Sequence, residues 1–150
     1  MSAFILQYTL ADFPKMAERF QNLAKKGKDK SKMANIIMSQ LVMSATNRFD
    51  EKKTPDGRPW RSPLYRTGTL SKSVLGAADE TTVNIGSNLK YAAIHQFGGE
   101  IAAKTAAYLK FKINEQWVQT KKVNIPANPY VGMSNEDRAA IEEKLAEELL

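Results

Sequence analysis

The chain has 150 residues, of which 43% are hydrophobic and 25% are charged, a composition typical of one globular domain that buries a core. It contains no cysteine and a single histidine, which excludes a disulfide framework and a nitrogen- or sulfur-rich zinc site built from one copy. No apolar run approaches the roughly 20 residues that a membrane-spanning helix needs. We therefore expect a protein of a reducing cytoplasm with no membrane partner, no metal and no cofactor.

The net charge of +6 is unevenly distributed along the chain. Residues 134–150 carry six acidic and two basic side chains, a net charge of −4, which leaves +10 on residues 1–133. Such asymmetry is typical of proteins that bind nucleic acid or a complementary protein partner. A basic body and an acidic helix also keep a small protein soluble, so the charge alone does not choose between these interpretations.

A strand followed by a helix is predicted at the start of the chain. The sequence FILQYTL over residues 4–10 is typical of a strand, and apolar residues at steps of three and four over 11–25 predict an amphipathic helix. Asp12 is the expected N-cap of this helix, with Pro14 in its first turn. The lysine-rich sequence KKGKDKSK at 25–32 then predicts a solvated loop.

A longer helix is predicted after this loop, with Ser31 as its cap. Its buried face is expected to consist of Met33, Ile36, Ile37, Gln40, Leu41, Ser44, Ala45 and Phe49. The helix should end near residue 50, where a segment with three prolines, two glycines and the turn signal PDG extends to residue 70.

This irregular segment combines aromatic and arginine side chains. Trp60, Arg61 and Tyr65 are residue types found at protein–protein hot spots and on platforms that bind single-stranded nucleic acid. Because a long loop in a compact domain is usually functional, we interpret these three residues as an interaction loop and favour protein as its partner.

The second half of the chain is predicted to form two hairpins. Alternating sequences at 70–77 and 81–87, joined by a turn, predict the first hairpin. Strict alternation over 107–113 predicts a half-buried strand, and 117–125 is its expected antiparallel partner. Residues 126–133, PANPYVGM, should be extended because prolines restrict the backbone there.

The chain is predicted to end in a helix. Ser134 and Asp137 have the spacing of a capping box. The apolar side chains step by four along one narrow stripe, formed by Ile141, Leu145 and Leu149. Such a thin stripe suggests a helix docked along one edge of the domain or on a neighbouring subunit. The whole order of elements predicts an α+β fold: an antiparallel sheet built from hairpins, packed against two N-terminal helices, with a short central helix and a C-terminal helix.

The sequence YAAIHQFGG at 91–99 predicts that central helix. It should begin near Leu89, with Ser87 or Asn88 as its cap, and end at Gly98 in a left-handed C-cap, since glycine accepts positive φ. The helix should present the side chains of Tyr91, His95 and Phe97. Gly98 and Gly99 should let the chain turn sharply after it. A catalytic histidine needs a nucleophile or an orienting carboxylate, and no motif nearby has that spacing. We therefore expect His95 to hydrogen-bond a backbone carbonyl or to lie at a subunit contact, and we expect no enzymatic activity.

Four motifs, in this order, resemble those of the phage virion morphogenesis family, the tail completion proteins of contractile-tailed and Mu-like phages and prophages. They are PDGRPW (55–60), RTGTLSKSV (66–74), NIGSNLKYAAIHQFGG (84–99) and IPANPYVGMSNED (125–137). The resemblance is strongest over residues 45–150, and we expect residues 1–150 to form one such domain. It departs from the family at Asn128, where an arginine usually stands between the two prolines.

The resemblance implies a non-enzymatic structural protein at the head–tail junction, a tail completion or tail terminator subunit, in a ring that is often sixfold in such relatives. Its partners would be copies of itself and other tail or connector proteins, with at most weak contact to DNA and no small-molecule substrate. It would act in the bacterial host cytoplasm during assembly and then remain in the tail or neck of the virion. Pro126 and Pro129 would fix the entry to the C-terminal helix. The alternative is a basic nucleic-acid-binding module.

Overall fold

The computed structural model describes residues 3–9, 13–61, 68–102, 109–113 and 116–147. It has the predicted α+β architecture, with antiparallel strands and with helices near both ends of the chain. The elements in chain order are β1 (Phe4–Thr9), α1 (Pro14–Lys25), α2 (Lys30–Glu51), α3 (Thr69–Lys72), β2 (Val74–Ala78), β3 (Thr82–Ser87), α4 (Ala92–Phe97), β4 (Gly99–Ala102), β5 (Leu109–Ile113), β6 (Gln116–Thr120), β7 (Lys122–Ile125) and α5 (Asn135–Glu147). Among the described helices, none has the length and apolar character that a bilayer crossing requires.

The main sheet has the antiparallel order β1-β3-β2, so the first strand of the chain pairs with the second strand of the hairpin. Gly86 in the centre lies opposite both Ile5 and Leu75. Because strand side chains alternate between the two faces, Val83 and Ile85 are buried on the inner face while Ile5 and Leu75 are exposed on the outer face. The predicted pairing of these alternating segments is confirmed.

Helix α2 packs against the inner face of this sheet at a very short distance. A Cβ on Gly76 of β2 would lie 2.6 Å from the Sδ of Met38 and 2.8 Å from a methyl carbon of Val42. The missing side chain therefore lets the helix lie directly on the strand. The core between helix and sheet contains Met33, Ile37, Leu41, Ala45, Phe49, Val83 and Ile85, with Met16, Phe20 and Leu23 of α1 beside them.

Helix α5 docks on α2 and α1 of its own chain. Ile141 and Leu145, two members of the narrow apolar stripe, are fully buried, and Leu149 lies outside the described residues. The described part of the stripe is therefore covered within the chain, and the suggestion that it binds a neighbouring subunit is wrong for these two residues. Two helices converge on the stripe, so a narrow apolar face is sufficient for complete burial.

One predicted cap is wrong, and the other lies outside the described residues. Phe13 occupies the N-cap of α1 without a side-chain hydrogen bond, and the expected cap, Asp12, lies outside the described residues. At α2 the cap is Asp29, whose carboxylate accepts hydrogen bonds from the N–H groups of Ser31 (2.9 Å) and Lys32 (3.4 Å). An ionised carboxylate is a stronger acceptor than a hydroxyl, which explains why α2 begins before Ser31.

Two predicted strand boundaries also differ from the structure. The segment predicted as a strand from residue 70 begins as the short helix α3, because the hydroxyls of Ser71 and Ser73 donate to the carbonyls of Gly68 (3.0 Å) and Leu70 (2.6 Å) and favour a helical turn. The segment predicted as one partner strand, 117–125, is divided between two sheets. Its first half, β6, pairs with β5, and its second half, β7, pairs with β4.

Candidate interaction site

Residues 126–133, which we call the proline segment, are held by buried side chains instead of by sheet pairing. Gln96 of α4 is only 5% exposed. Its side-chain amide donates to the carbonyl of Val131 (2.9 Å), and its side-chain oxygen accepts from the N–H groups of Tyr130 (2.9 Å) and Val131 (3.0 Å). The hydroxyl of Tyr130 donates in turn to the carbonyl of Ala92 (3.1 Å). A side chain of α4 thus binds the backbone of the proline segment, and a side chain of the proline segment binds the backbone of α4.

Arg48 of α2 fastens the other end of the proline segment. Its guanidinium donates to the carbonyls of Tyr130 (2.9 Å) and Gly132 (3.1 Å) and forms an ion pair with Asp137 (2.8 Å). The side chains of Arg48 and Asp137 are 6% and 4% exposed. Because a buried cation is stable only when its donors are satisfied, this geometry couples α2, the proline segment and α5.

Asp137 also receives hydrogen bonds from three other groups. Its carboxylate accepts from the backbone N–H of Ser134 (3.0 Å), the amide of Gln40 (3.2 Å) and the hydroxyl of Ser44. Ser134 accepts from the N–H of Asp137 (3.0 Å), which confirms the predicted capping box. Burial raises the pKa of Asp137, but these hydrogen bonds and the charge of Arg48 outweigh it, so the pKa lies below its usual value of 3.8.

This lowered pKa predicts the pH dependence of stability. A carboxyl whose pKa is depressed in the folded state contributes stability above its unfolded pKa and loses it as the pH falls through the folded value. We expect the free energy of unfolding to decrease from about pH 5 downward, with a smaller slope in Asp137→Asn than in the native chain. Urea unfolding measured between pH 7 and pH 2 tests this, and equal slopes in the two proteins would contradict it.

The predicted interaction loop is anchored to the proline segment. The indole N–H of Trp60 donates to the carbonyl of Pro129 (3.0 Å), and its ring meets Phe49 edge-on at 5.3 Å. The backbone N–H of Arg61 donates to the side-chain oxygen of Asn128 (2.8 Å), which is 1% exposed. Trp60 is therefore half-buried against its own chain, the side chain of Arg61 is exposed, and Tyr65 lies outside the described residues.

Gly98 allows the proline segment to approach α4. It has φ 74° and ψ 177°, and its N–H donates to the carbonyl of Ile94 (2.7 Å). A Cβ there would lie 2.8 Å from the backbone nitrogen of Ala127, one residue after Pro126. The predicted positive φ is confirmed, but the predicted left-handed C-cap is wrong, because ψ is extended and leads the chain directly into Gly99 and β4.

The helix begins later than predicted, at Ala92, without a side-chain cap. The hydroxyl of Ser87 accepts instead from the N–H of Leu89 (3.2 Å), and the carbonyl of Leu89 accepts from Ala92 (3.1 Å). Ser87 therefore stabilises a turn that precedes the helix. The prediction of a start near Leu89 is wrong by about one helical turn, because the sequence pattern does not separate a turn from a helix.

Two rings of the motif contact each other, and a third is exposed at the surface. Tyr91 and His95 meet edge-on at 5.9 Å, while Phe97 is 56% exposed and packs against the ring of Phe4 at 5.4 Å. The Nδ1 atom of His95 is buried with no hydrogen-bond partner among the described residues, so this atom does not make the expected bond to a carbonyl. Burial lowers the pKa of His95, whereas its backbone carbonyl accepts from the N–H of Asn128 (2.8 Å).

A groove of about 890 Å³ lies beside the network formed by Arg48 and Asp137. Its lining mixes acidic and basic side chains, among them Glu51, Arg58 and Glu136, so it does not select ligands of one charge. Within the residues that the structure describes, no group of three or more histidine, aspartate or glutamate side chains has a geometry that holds a metal ion.

Most of the predicted site residues thus lie on or beside one frame, formed by α4 and the proline segment. Trp60, Arg61 and Pro129 meet on one side of the proline segment, and Gly98 approaches it close to Pro126 on the other. The buried polar side chains that hold this frame were not predicted as site residues; they are Arg48, Gln96 and Asn128. One signal was present: Gln40, Ser44 and Arg48 follow one another at four-residue steps on the buried face of α2.

The sequence profile of the phage virion morphogenesis family matches residues 11–150 of the chain, so the chain belongs to this family. It is also similar to a Mu-like prophage protein, FluMu G protein 2, of Haemophilus influenzae, with 31% identity over 97 residues. That similarity spans 59% of this chain and 59% of the relative's length. No solved structure matches the chain. Membership of this family assigns the chain a role in phage virion assembly.

Proposed function

We propose that the chain is a non-enzymatic structural subunit of the head–tail junction, which completes or terminates the tail and assembles as a ring. The observation that carries this proposal is the exposed ring of Phe97 on a rigid frame. Family membership supports a place in virion assembly, and the geometry of α4 supplies the kind of surface that such a place requires.

Phe97 has the physical properties of an anchor for a protein partner. Its ring is supported from behind by Phe4, and the helix that carries it is held by Gln96 and by the hydroxyl of Tyr130. A large aromatic side chain held in place before binding loses little conformational entropy when it is covered. The proline segment and α4 therefore favour binding of another protein to the surface around Phe97.

The environment of His95 supports a structural role for the motif. A histidine that acts as a base is oriented by a hydrogen bond to its second ring nitrogen. Its Nδ1 atom has no such bond in the part of the chain that the structure describes. Desolvation also lowers the pKa of His95, which favours a neutral ring packed beside Tyr91.

The charge distribution supports head-to-tail self-assembly. Lysines 25, 26, 28, 30 and 32 lie at the corner between α1 and α2, while α5 presents acidic side chains at Glu136, Glu143 and Glu147. A ring needs two different, complementary patches on each subunit. Opposite charges on separate elements are one way to provide them, and light scattering after size-exclusion chromatography at low and high salt would detect the resulting assembly.

The experiment that tests the proposed function is end-capping of purified tail tubes, followed by electron microscopy. We expect the native chain to cap tube ends and Phe97→Ala to lose capping while remaining folded, because truncation removes the exposed anchor. The control is Met43→Ala, which truncates another exposed apolar side chain on α2 and should still cap. Absence of the native chain from tube ends, or full capping by Phe97→Ala, would contradict the proposal.

A nucleic-acid-binding module is the second candidate, favoured by the lysine-rich corner at residues 25–32. Phosphate contacts made by lysine release counterions, so binding should weaken steeply with salt. Fluorescence anisotropy with duplex and single-stranded DNA distinguishes the two functions. Dissociation constants below about 1 µM near physiological ionic strength would favour this second candidate over the first.

A further inference from the structure

The ring of His95, in the last turn of α4, has two nitrogens in different surroundings. Nδ1 is buried and has no hydrogen-bond partner among the described residues. Nε2 is not among the buried atoms that lack a partner, and no hydrogen bond of the described residues uses it, so Nε2 reaches the surface. The chain contains no other histidine, so the protonation of this ring can be measured without overlap.

These surroundings determine which nitrogen carries the proton. In a neutral imidazole one nitrogen is a donor and the other is an acceptor. A buried N–H without an acceptor is rarer in native proteins than an acceptor without a donor, so the proton belongs on Nε2, where water accepts from it. The imidazolium ring carries a proton on both nitrogens, and it would therefore place a charged N–H in the buried position of Nδ1.

Within the described residues, no charged side chain stabilises such a cation. Burial is the only cause of the lowered pKa of His95, and the neighbour on its own helix is the ring of Tyr91, edge-on at 5.9 Å. The titratable groups on the adjacent segments are Lys90 before α4, Arg61 of the interaction loop, Tyr130 of the proline segment and Glu100 of β4. The carboxylate of Glu100 forms an ion pair with Lys122 (3.9 Å) instead.

The C-terminal end of α4 also offers little to a cation. A positive charge is usually favoured there because the last carbonyls of a helix lack partners. In α4 the carbonyl of Ile94 accepts from the N–H of Gly98 (2.7 Å). The carbonyl of His95 accepts from the N–H of Asn128 (2.8 Å). A protonated His95 would therefore gain little from the helix end to offset its burial.

We propose that the neutral ring of His95 keeps the last turn of α4 packed against the proline segment, and that protonation of the ring opens this junction. One residue supplies both parts of the switch, because its ring takes the proton and its carbonyl accepts from Asn128. In a helix most side chains have access to only two of the three χ1 rotamers. The ring therefore has little freedom to leave its site while the backbone of the last turn stays in place. Access of water to Nδ1 requires movement of the residue that holds the hydrogen bond.

The pH range of this opening follows from linkage. The pKa of His95 in the folded chain lies below its ordinary value of 6.5, so the opened or unfolded state takes up the proton first as the pH falls. The junction has its full stability above about pH 7, and one proton shifts the opening equilibrium by at most about tenfold per pH unit below it. Carboxyl groups titrate near pH 4, so the range from about pH 7 to pH 5 reports on His95 and the lower range on Asp137.

Nuclear magnetic resonance of the single imidazole gives the first measurement. We expect the ring at pH 7 to be neutral with its proton on Nε2, and its titration midpoint in the native chain to lie below 6.5. Lys90→His adds a reference histidine at an exposed position before α4, and this reference should titrate near the ordinary value. A proton on Nδ1 at pH 7, or a midpoint for His95 at or above that of the reference, would overturn the proposal.

Hydrogen exchange gives the second measurement. After correction for the intrinsic exchange rate, the protection of the Asn128 amide should fall about tenfold between pH 7 and pH 5 in the native chain. The amide of Ile85 in the central strand β3 should keep its protection, because the opening is local. In His95→Gln, whose side chain does not titrate, the protection of Asn128 should be the same at both pH values within about threefold.

Two results of this experiment contradict the switch. A low midpoint with unchanged protection of Asn128 would mean that the ring turns outward alone, and an equal loss in His95→Gln would mean that another group opens the junction. If His95→Gln does not fold, the native titration and the native amides of Asn128 and Ile85 still decide the question. The inference does not depend on the proposed function, because every readout is made on the isolated chain without tail tubes.

Discussion

Asp137→Ala is expected to lower the free energy of unfolding by about 3 to 5 kcal/mol, the range for breaking a buried ion pair by removing one partner. The side chain of Arg48, which is 6% exposed in the native chain, would lose its only counter-charge within the described residues. The N–H of Ser134 would also lose its acceptor at the start of α5. The measurement is urea unfolding at pH 7.

The loss should extend beyond α5, because Arg48 also donates to the carbonyls of Tyr130 and Gly132. Without Asp137 the guanidinium is free to move toward solvent, and the proline segment then loses its contact with α2. We expect faster hydrogen exchange at the amides of Tyr130 and Val131 in Asp137→Ala. These amides otherwise donate to Gln96 in a buried site.

Glu136→Ala is the matched control, because it removes an exposed carboxylate from the adjacent position of the same helix. Surface substitutions of this kind usually change stability by less than about 0.5 kcal/mol. An equal effect of the two substitutions would mean that the ion pair contributes little and that the cost comes from general changes in α5.

The regular elements of this fold were predictable where one periodicity governs a segment. Val83 and Ile85 alternate with polar residues, and β3 forms with these two side chains inward. In α1 the steps that join Met16, Phe20 and Leu23 give a single buried face. Such local patterns determine which side of an element is covered, regardless of what covers it.

The polar frame of the site was not predictable in the same way, because its partners are distant in sequence. Arg48 and Asp137 are separated by 89 positions, and an arginine at a core-facing position is normally assigned to the surface. Gln96 reaches Val131 across 35 positions. A polar side chain becomes a core residue only when another segment supplies its hydrogen bonds, and local sequence does not contain that information.

The division of the predicted partner strand has a related cause. Residues 117–125 were predicted as one strand opposite the alternating segment 107–113, yet β6 pairs with β5 and β7 pairs with β4. Alternation shows that a segment is extended, but register and partner depend on the turns that precede each strand. The same limit applies to α3, where serine hydroxyls form local bonds within an alternating sequence.

Gly98→Ala is expected to lower the free energy of unfolding by about 3 kcal/mol or more, although it adds one methyl group. The conformation of Gly98, with φ 74° and ψ 177°, is one that side chains other than glycine almost never adopt. The added Cβ would also lie 2.8 Å from the nitrogen of Ala127 and 3.0 Å from the carbonyl oxygen of Ile125. These are backbone atoms, which have no rotamer that relieves the contact.

Gly57→Ala is the control for a glycine with positive φ but no close approach. Gly57 also has positive φ, 88°, but a Cβ there would have no atom within 4 Å. Its cost should be about 1 kcal/mol, the strain of the left-handed backbone alone. Equal losses in the two variants would show that backbone conformation, and not contact with the proline segment, makes glycine necessary at position 98.

The hydrogen bond from the N–H of Asn128 to the carbonyl of His95 distinguishes the two explanations, which are backbone strain and contact with the proline segment. It is 2.8 Å long and joins the proline segment to the last turn of α4. If Gly98→Ala pushes the segment away, the amide of Asn128 should exchange faster than in Gly57→Ala even where both proteins are fully folded. The first glycine of the pair, Gly98, would then be explained by the packing of two backbone segments, and Phe97 would lose the support on which its proposed role as a contact residue depends.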